Sequence, residues 1–342
     1  MTYPVFDMHC DTADRLAWQF LSDDLKQACG MDFYGPGDAD DPQGCRSLAQ
    51  SHCHISLEKI GATPWAQCFA CYVPDALTPA QAAAFYDAVN AHLDAEVATN
   101  AAVVLPVTSA AQVREVLEGA GEQHVAAVRT IENARMFAAG LGLVERYAAR
   151  GVLMASLSWN AAGPLASGHD THEHLSELGR DALAEMERNR IVLDVSHLND
   201  ECFADVAAAS ARPIVASHSN SRAVCPHKRN LTDDQFARIR DCGGVVGLNY
   251  CDKFLSTEVL EGHATSVSFD EIAAHVEHWL DLGGENVVAL GGDLDGASVP
   301  SLLDGTDKMG AFQQLLEQRF GATITAKLCY GNALAFFERA SH

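Results

Sequence analysis

The chain alternates between short apolar segments and longer segments in which apolar residues recur every three or four positions. The short segments are typical of buried strands, whereas the longer ones are typical of amphipathic helices. Eight strands are predicted, at residues 4–8, 66–72, 125–131, 152–157, 191–195, 213–217, 245–249 and 287–290. Helices are predicted between them, among others at residues 79–96, 178–189, 200–211, 233–242 and 269–282. An alternative strand at residues 102–107 leaves the strand assignment of the first third open.

Strands that alternate with helices predict a parallel sheet with helices packed outside it. Eight such units without a Pro- or Ser-rich linker favour a barrel over a doubly wound sheet. We therefore predict an α/β fold, a single (β/α)8 TIM barrel that forms one domain over residues 1–342. Loop insertions are expected between Asp11 and Ala66 and around residues 167–174, and the tail, residues 309–340, is expected to close the barrel with one or two helices.

Composition narrows the class of protein. The 342 residues include 46 acidic and 23 basic ones, for a formal net charge of -23. An acidic chain without a Lys/Arg-rich run is not expected to bind nucleic acid or an anionic membrane surface. No apolar stretch approaches the roughly 20 residues that span a bilayer, and the first residues lack the features of a signal peptide. These observations predict a cytoplasmic protein without a membrane partner.

The cysteines are predicted to be reduced and buried. There are eleven, an odd number, in a chain without a signal peptide. Cys68 and Cys71 form the one CxxC motif, but they lie in a predicted strand, where positions three apart face opposite sides. A metal or redox role of this motif is therefore not expected.

Residues that can bind metal follow five of the predicted strands. They are, in chain order, His9 and Asp11, Glu132, His197, His218, and Asp293. Because the active site of a TIM barrel lies at the C-terminal ends of its strands, these side chains are expected to converge. Each one alone is also compatible with a cap or a hydrogen-bonded core residue. Three imidazoles and three carboxylates buried at one rim would cost several kilocalories each unless a cation compensates them.

The residue types indicate which cation. Histidine and carboxylate ligands without a thiolate suit Zn²⁺ or another borderline divalent ion. Six candidates exceed the needs of one tetrahedral site, so two metal ions with a bridging carboxylate are predicted. Glu132 lies between the two groups in the sequence and is the best candidate for the bridge.

The remaining histidines are weaker candidates. Residues 168–174, with the sequence GHDTHEH, lie in a predicted loop and are expected to be solvated. His275 and His278 are three positions apart on a predicted helix and are expected at its surface.

The chain resembles the membrane (renal) dipeptidase family of metallopeptidases in the amidohydrolase superfamily. The resemblance rests on segments 7–11 (DMHCD), 131–132 (IE), 193–197 (LDVSH), 217–230 (SHSNSRAVCPHKRN) and 291–296 (GGDLDG). His54 and Gln67 match weaker positions of the family pattern. The order and spacing of these segments along the chain make the resemblance specific.

The resemblance implies a cofactor of two divalent metal ions, with Zn²⁺ as the expected ion. It implies that His9 and Asp11 hold one ion and that His197 and His218 hold the other. Glu132 would bridge both ions and would thereby also be catalytic.

The resemblance also implies roles for three residues outside the ligand set. Asp293 would orient or deprotonate the catalytic water. Arg229 would bind the terminal carboxylate of the substrate, which agrees with the bidentate geometry of a guanidinium. Asn230 would assist Arg229 or cap the turn.

One position departs from the family pattern. The family usually has a Thr-His pair at the end of the fourth strand, where the histidine contacts the scissile carbonyl, whereas this chain has Ser158 and Trp159. An indole N–H can donate a hydrogen bond but cannot titrate. We predict Trp159 to contact the substrate. A shift of one residue in the alignment would place Ser158 or Asn160 there instead.

The function implied is that of a zinc-dependent dipeptidase, a metallopeptidase for dipeptides with a free C-terminal carboxylate. A hydroxide that bridges the two metal ions would attack the peptide bond. The alternatives are hydrolysis of another small amide, a lactam or an N-acyl amino acid, and an inactive metal-binding relative. The expected partner is a small peptide-like substrate, and the family also includes homodimers.

Overall fold

The computed structural model describes residues 2–31, 42–119 and 121–340. Its strands are β1 (Val5–Cys10), β2 (Trp65–Tyr72), β3 (Val104–Val107), β4 (Val125–Glu132), β5 (Val152–Ser156), β6 (Val192–Asp194), β7 (Val246–Leu248) and β8 (Val288–Leu290). Its helices are α1 (Thr12–Ala17), α2 (Asp23–Cys29), α3 (Leu57–Ile60), α4 (Pro79–Thr99), α5 (Ala110–Leu117), α6 (Gly142–Ala149), α7 (Glu177–Arg188), α8 (Asp200–Ala209), α9 (Asp233–Asp241), α10 (Asp252–Leu255), α11 (Thr257–Leu260), α12 (Phe269–Asp281), α13 (Met309–Ala326) and α14 (Asn332–Ala340). The insertion predicted between Asp11 and Ala66 lies partly outside these residues.

The strands form one curled parallel sheet in the order β6-β5-β4-β2-β1-β8-β7. Isolated bridges join Asp194 of β6 to Val215 and Ala216 to Val246 of β7. The predicted strand 213–217 therefore connects the two edges of the sheet through bridges rather than as a regular strand. One reason is that the N–H of Ser217 donates to the carboxylate of Asp194 and not to a strand carbonyl. The predicted TIM barrel is confirmed.

The alternative strand at residues 102–107 exists as β3 and lies beside the barrel path. It pairs with the first half of β4, from Val104 opposite Val125 to Val107 opposite Val128. The second half of β4 pairs with β5, and the full length of β4 pairs with β2. Of the strands that carry or precede predicted ligands, β1 and β8 are direct neighbours, whereas β2 separates β1 from β4 and β5 separates β4 from β6.

The period of two in β4 sorts its side chains onto two faces. Ala126 and Val128 belong to an apolar cluster with residues of α5 and α14, whereas Val125 and Ala127 pack in the larger cluster that includes α4. Glu132 lies on the same face as Ala126 and Val128 and ends the strand. This face of the sheet thus leads from an apolar interior to a polar rim.

The CxxC motif lies within β2, as predicted. Cys68 belongs to the smaller apolar cluster and Cys71 to the larger one, so the two thiols face opposite sides of the sheet. Both are buried and free. This arrangement offers no shared ligand site for the pair.

The C-terminal helices close one end of the sheet, as predicted. Phe337 of α14 stacks on Phe6 of β1 with ring centroids 5.4 Å apart. Among the residues that the structure describes, no helix is both long and apolar enough to cross a bilayer.

Candidate metal centre

The six predicted strand-end residues come together at one rim of the sheet, with Glu132 in the middle. Glu132 Oε1 lies 2.7 Å from His197 Nε2 and 3.5 Å from His218 Nε2. Its Oε2 lies 3.6 Å from His9 Nε2, and Asp11 Oδ1 lies 3.7 Å from that same nitrogen. A carboxylate whose two oxygens face different imidazoles has the arrangement that bridges two cations.

The ligand atoms fall into three overlapping groups, in each of which all atoms lie within 4.8 Å of one another. The groups are His9, Asp11 and Asp293; Glu132, His197 and His218; and His9, Asp194 and His218. His9 Nε2 and Asp11 Oδ1 are buried without a hydrogen-bond partner among the described residues. Because leaving a buried polar atom unpaired is costly, these atoms fit a bound cation.

His197 is oriented by a residue that follows the predicted fourth strand. His197 Nδ1 lies 2.9 Å from Asn160 Oδ1, which accepts the hydrogen of that nitrogen. The lone pair of Nε2 is thereby left to face Glu132. A hydrogen bond to the other ring nitrogen is the usual device that fixes a metal-binding imidazole.

His218 is oriented by a chain of two hydrogen bonds. Ser217 Oγ donates to Asp194 Oδ2 and lies 2.7 Å from His218 Nδ1, whose hydrogen it accepts. The lone pair of His218 Nε2 therefore points away from Ser217. It lies 3.0 Å from His197 Nε2, so two acceptor nitrogens face one another. A cation bound by both nitrogens would remove the repulsion between their lone pairs.

Asp293 is positioned by Asn249, which is not among the predicted site residues. Asn249 Nδ2 donates to Asp293 Oδ2 over 3.0 Å and also lies 3.3 Å from the carbonyl oxygen of His218. Asn249 ends the seventh predicted strand, and this position at a strand end is the sequence signal from which a role at the rim could have been predicted.

The backbone is strained at two of these residues. His197 and Asp293 have φ angles of 72° and 56°, in the left-handed region that favours glycine. Such a conformation costs about 1–3 kcal/mol per residue and persists where the surrounding structure enforces it. Both residues end a strand at the rim, where the chain turns.

The ionisable groups at the rim shift one another's pKa values. Burial raises the pKa of Glu132, but His197 and His9 outweigh burial and hold that pKa well below its usual range. Burial alone would lower the pKa of His9, yet Glu132 and Asp11 raise it to about 10. Burial and Arg229 lower the pKa of His197, which favours the neutral, metal-binding form.

The sequence model of the membrane dipeptidase family, peptidase family M19, matches residues 1–342. The chain belongs to this family. Two solved structures are similar to it over almost its whole length. A metallopeptidase from Rhodobacter sphaeroides, solved with a phosphinate mimic of the dipeptide L-Ala-D-Ala, is 27% identical, with a TM-score of 0.82 over 99% of this chain and 100% of that one. A family M19 metallopeptidase, dipeptidase AC, is 28% identical, with a TM-score of 0.83 over 99% of each chain.

Two curated relatives are similar to the M19 chain over only part of its length. An uncharacterized protein from the pqqA 5' region of Klebsiella pneumoniae is 36% identical over 168 residues, which are 47% of this chain and 61% of that protein. The uncharacterized dipeptidase C3A11.10c of Schizosaccharomyces pombe is 29% identical over 218 residues, which are 62% of this chain and 52% of that protein. The chain thus spans about half to three-fifths of these curated relatives. The predicted membership of the membrane dipeptidase family of metallopeptidases is confirmed, while the single domain stays a prediction.

Arg229 of this M19 chain lies beside the metal centre and is buried, with 4% exposure. Its Nη1 donates to Ser219 Oγ over 2.7 Å and its Nη2 to the carbonyl oxygen of His218 over 2.9 Å. Its Nε has no hydrogen-bond partner in the described part of the chain. A buried guanidinium that is held by neutral acceptors is suited to receive an anion.

The two other predicted substrate contacts differ in character. Asn230 is buried, and its Nδ2 donates to the carbonyl oxygens of Cys225 and Phe254, each over 2.9 Å, so the amide holds the turn. Trp159 is half-buried and meets Tyr72 edge to face, with ring centroids 4.9 Å apart. Its centroid lies 6.2 Å from that of His197. The roles of Trp159 and Asn230 toward the substrate stay predictions.

The prediction of a solvated loop at residues 168–174 is wrong for His169. Its side chain is only 8% exposed, whereas those of His172 and His174 are 90% and 69% exposed. The His169 ring lies 5.8 Å from that of His197, centroid to centroid. Burial and the neighbouring Arg229 lower the pKa of His169 to about 2, which keeps the ring neutral.

The prediction of a surface position is also wrong for His275. This residue is fully buried, accepts a hydrogen bond from the Ser221 N–H at Nδ1 and contacts the Leu255 carbonyl oxygen at Nε2 over 3.0 Å. It lies three positions after Ile272 and four before Trp279, on the apolar face of α12. The burial of His275 could therefore have been predicted from its spacing to these two apolar residues. His278 is paired with Asp233 and remains partly exposed.

Replacing Gly296 with alanine is expected to disrupt the metal centre. A Cβ at this position would lie 1.8 Å from Asp11 Oδ2 and 2.6 Å from Asp293 Oδ1, so at least one carboxylate must move. We expect the Gly296→Ala variant to bind metal at least about tenfold more weakly, measured by metal analysis after dialysis. The Gly142→Ala variant is the control, because a Cβ there meets nothing within 4 Å. Equal metal content in both variants would contradict this role of Gly296.

Proposed function

We propose that this chain is a zinc-dependent dipeptidase that hydrolyses dipeptides with a free C-terminal carboxylate. The observation that carries the proposal is the buried guanidinium of Arg229 next to the metal centre. Arg229 donates to the carbonyl oxygen of His218, a residue of the predicted ligand set, so the anion site and the ligand cluster share a residue. This proximity favours a small substrate whose carboxylate is close to the bond that is cleaved.

The donor set fits two divalent cations. Two such ions, for which we expect Zn²⁺, would lower the pKa of a water molecule and polarise the scissile carbonyl. His9 and Asp11 would hold one ion, and His197 and His218 the other. Glu132 would contact both, because its two oxygens face different imidazoles.

Asp293 would move the proton. Asn249 donates to one of its oxygens, and Asp293 also supplies an oxygen to the His9 and Asp11 group. In this position Asp293 would take the proton of the attacking water and pass it to the leaving amine. Arg229 would meanwhile hold the substrate carboxylate and fix the position of the peptide bond.

The similar structure from Rhodobacter sphaeroides, which carries a phosphinate mimic of L-Ala-D-Ala, supports a dipeptide substrate for this chain. Trp159 favours a second candidate, because it stands where the family pattern has a histidine. That candidate is hydrolysis of an N-acyl amino acid or another small amide. An N-acyl amino acid also carries a carboxylate that Arg229 would bind, so only a substrate panel separates the two candidates.

The Arg229→Met variant tests the carboxylate site. We expect kcat/KM for a dipeptide such as L-Ala-D-Ala to fall by about 10²-fold or more, because a charge-assisted bidentate contact is lost. The corresponding dipeptide amide should be affected much less, because it carries no carboxylate. The measurement compares kcat/KM for dipeptide, dipeptide amide and N-acetylalanine.

The control is the Arg146→Met variant. Arg146 is an exposed arginine of α6 that pairs with Asp87, away from the metal centre. Equal losses with the dipeptide and its amide in the Arg229→Met variant would refute the carboxylate site. Hydrolysis of N-acetylalanine in preference to dipeptides by the unmodified chain would replace the first candidate with the second.

A further inference from the structure

A buried imidazole outside the predicted ligand set borders the same site. The side chain of His169 is only 8% exposed, although it belongs to a loop. Its Nδ1 is buried and has no hydrogen-bond partner within the part of the chain that the structure describes. An unpaired buried ring nitrogen costs stability, and one that borders the site is a candidate to bind a ligand.

The backbone on either side of His169 is firmly held. The N–H of Gly168 donates to the Ala161 carbonyl oxygen over 2.9 Å, and the N–H of Asp170 donates to the Asn160 carbonyl oxygen over 3.0 Å. A Cβ at Gly168 would lie 1.7 Å from the Trp159 carbonyl oxygen, so only glycine permits this close approach. The position of the imidazole is therefore set by the segment that follows β5.

A second set of contacts joins this loop to the segment after β6. Gly168 forms an antiparallel bridge with Leu198, the residue after His197, and the N–H of Asn199 donates to the Ser167 carbonyl oxygen over 3.1 Å. The loop that carries His169 is thus attached next to His197. This attachment explains why its ring centroid is 5.8 Å from that of His197.

The surroundings of the ring favour an electron-rich ligand atom. The His169 ring lies 6.0 Å from that of His227, centroid to centroid, and Lys228 and Arg229 follow His227 in the chain. The carboxylate of Asp170 faces the other nitrogen, Nε2, at 3.9 Å, which is too long for a hydrogen bond. Among the described residues, no oxygen accepts a hydrogen bond from Nδ1.

We propose that His169 is a substrate-contacting residue that donates a hydrogen bond from Nδ1 to an oxygen at the reacting carbon of the substrate. The inference rests on the proposed function, because that function places the reacting carbon between the metal ligands and Arg229. Negative charge grows on this oxygen in the transition state, and a preplaced donor stabilises it more than the ground state. His169 would therefore act on kcat more than on KM.

Three substitutions separate the role of Nδ1 from other roles of the ring. Asparagine places an amide near the position of Nδ1, glutamine places one near Nε2, and leucine removes both. We expect His169→Leu and His169→Gln to lower kcat by about 10²-fold with little change in KM. His169→Asn should recover most of that loss. His172→Leu, on the exposed part of the same loop, is the matched control and should behave like the unmodified chain.

Metal content and the thermal midpoint are measured for every variant. We expect both to change little, because the backbone hydrogen bonds of Gly168, Asp170 and Asn199 hold the loop. Loss of metal or a large fall of the midpoint in His169→Leu, or unchanged kcat in that variant, would overturn the proposal. Equal recovery by asparagine and glutamine would also overturn it, because Nδ1 would then not be the donor.

Binding of a phosphinate dipeptide mimic is the readout that does not require turnover. A phosphinate has oxygens on phosphorus but lacks the amide N–H of the peptide, so it detects a donor to oxygen and not an acceptor for the amide. We expect His169→Leu to weaken its binding at least about tenfold and His169→Asn to restore it. Unchanged affinity in the leucine variant would overturn the proposed contact.

The two proposals fail in different ways. If the unmodified chain hydrolyses dipeptides and His169→Leu matches it in turnover and phosphinate affinity, only the contact is refuted. If the unmodified chain hydrolyses no dipeptide but binds the phosphinate in a manner that depends on His169, the proposed reaction is refuted and the contact stands. If it neither hydrolyses dipeptides nor binds the phosphinate, both are refuted.

Discussion

We expect the Asp293→Asn variant to keep its metal and to lose about 10²- to 10⁴-fold in kcat, the usual contribution of a general acid–base residue. Asparagine has the shape of aspartate and can still accept the hydrogen bond that Asn249 donates over 3.0 Å. It cannot, however, take up a proton near neutral pH. The measurement combines steady-state hydrolysis of a dipeptide with metal analysis of the same sample.

The control for this prediction lies two residues further along the chain. Asp295 accepts hydrogen bonds from Thr12 Oγ1 over 2.5 Å and from the N–H of His54 over 2.6 Å, so both of its oxygens are engaged outside the ligand cluster. In Asp295→Asn the remaining oxygen can accept from the His54 N–H, and the Thr12 hydroxyl can rotate to accept from the new NH₂ group, so most of the turnover should be retained. Loss of metal from Asp293→Asn would contradict the assignment, because Asp293 would then be a ligand rather than the proton carrier.

The Glu132→Gln variant is expected to lose metal as well as turnover. The two oxygens of Glu132 face His197 and His9, and glutamine replaces one of them with an NH₂ group that donates rather than accepts. We expect metal affinity to fall by more than about 100-fold, because even residues outside the ligand set cost 10- to 100-fold. Metal stoichiometry and a binding titration measure this loss, and hydrolysis should fall with it.

Glu145→Gln provides the comparison for loss of one carboxylate charge. Glu145 is exposed in the first turn of α6, so its substitution should change neither metal content nor hydrolysis. A Glu132→Gln variant with full metal content and undiminished turnover would show that Glu132 does not bridge the ions.

The strand-end residues could be predicted from the sequence because a barrel brings the ends of its strands to one rim. Glu132 and His197 are far apart in the sequence, yet their side chains meet at 2.7 Å. The predicted strand 213–217 is reduced to bridges because Asp194 competes for the Ser217 N–H, a contact between side chain and backbone that apolar periodicity does not encode.

Residues that act through loop contacts were harder to predict. The burial of His169 depends on the close approach of Gly168 to Trp159, and a loop of polar residues gives no periodicity from which to infer it. Asn160 and Asn249 orient His197 and Asp293 through hydrogen bonds between distant segments. These hydrogen-bond partners depend on the tertiary structure and cannot be predicted from sequence periodicity. The position of His275 on the apolar face of α12, in contrast, follows from the spacing of apolar residues in the sequence.

The left-handed backbone at His197 and Asp293 has a consequence for ion binding. The turns of the chain and the hydrogen bonds to Asn160 and Asn249 restrict both residues to one conformation. A residue that is held in one conformation loses little conformational entropy when an ion binds beside it. The backbone of these two strand ends therefore lowers the entropic cost of ion binding.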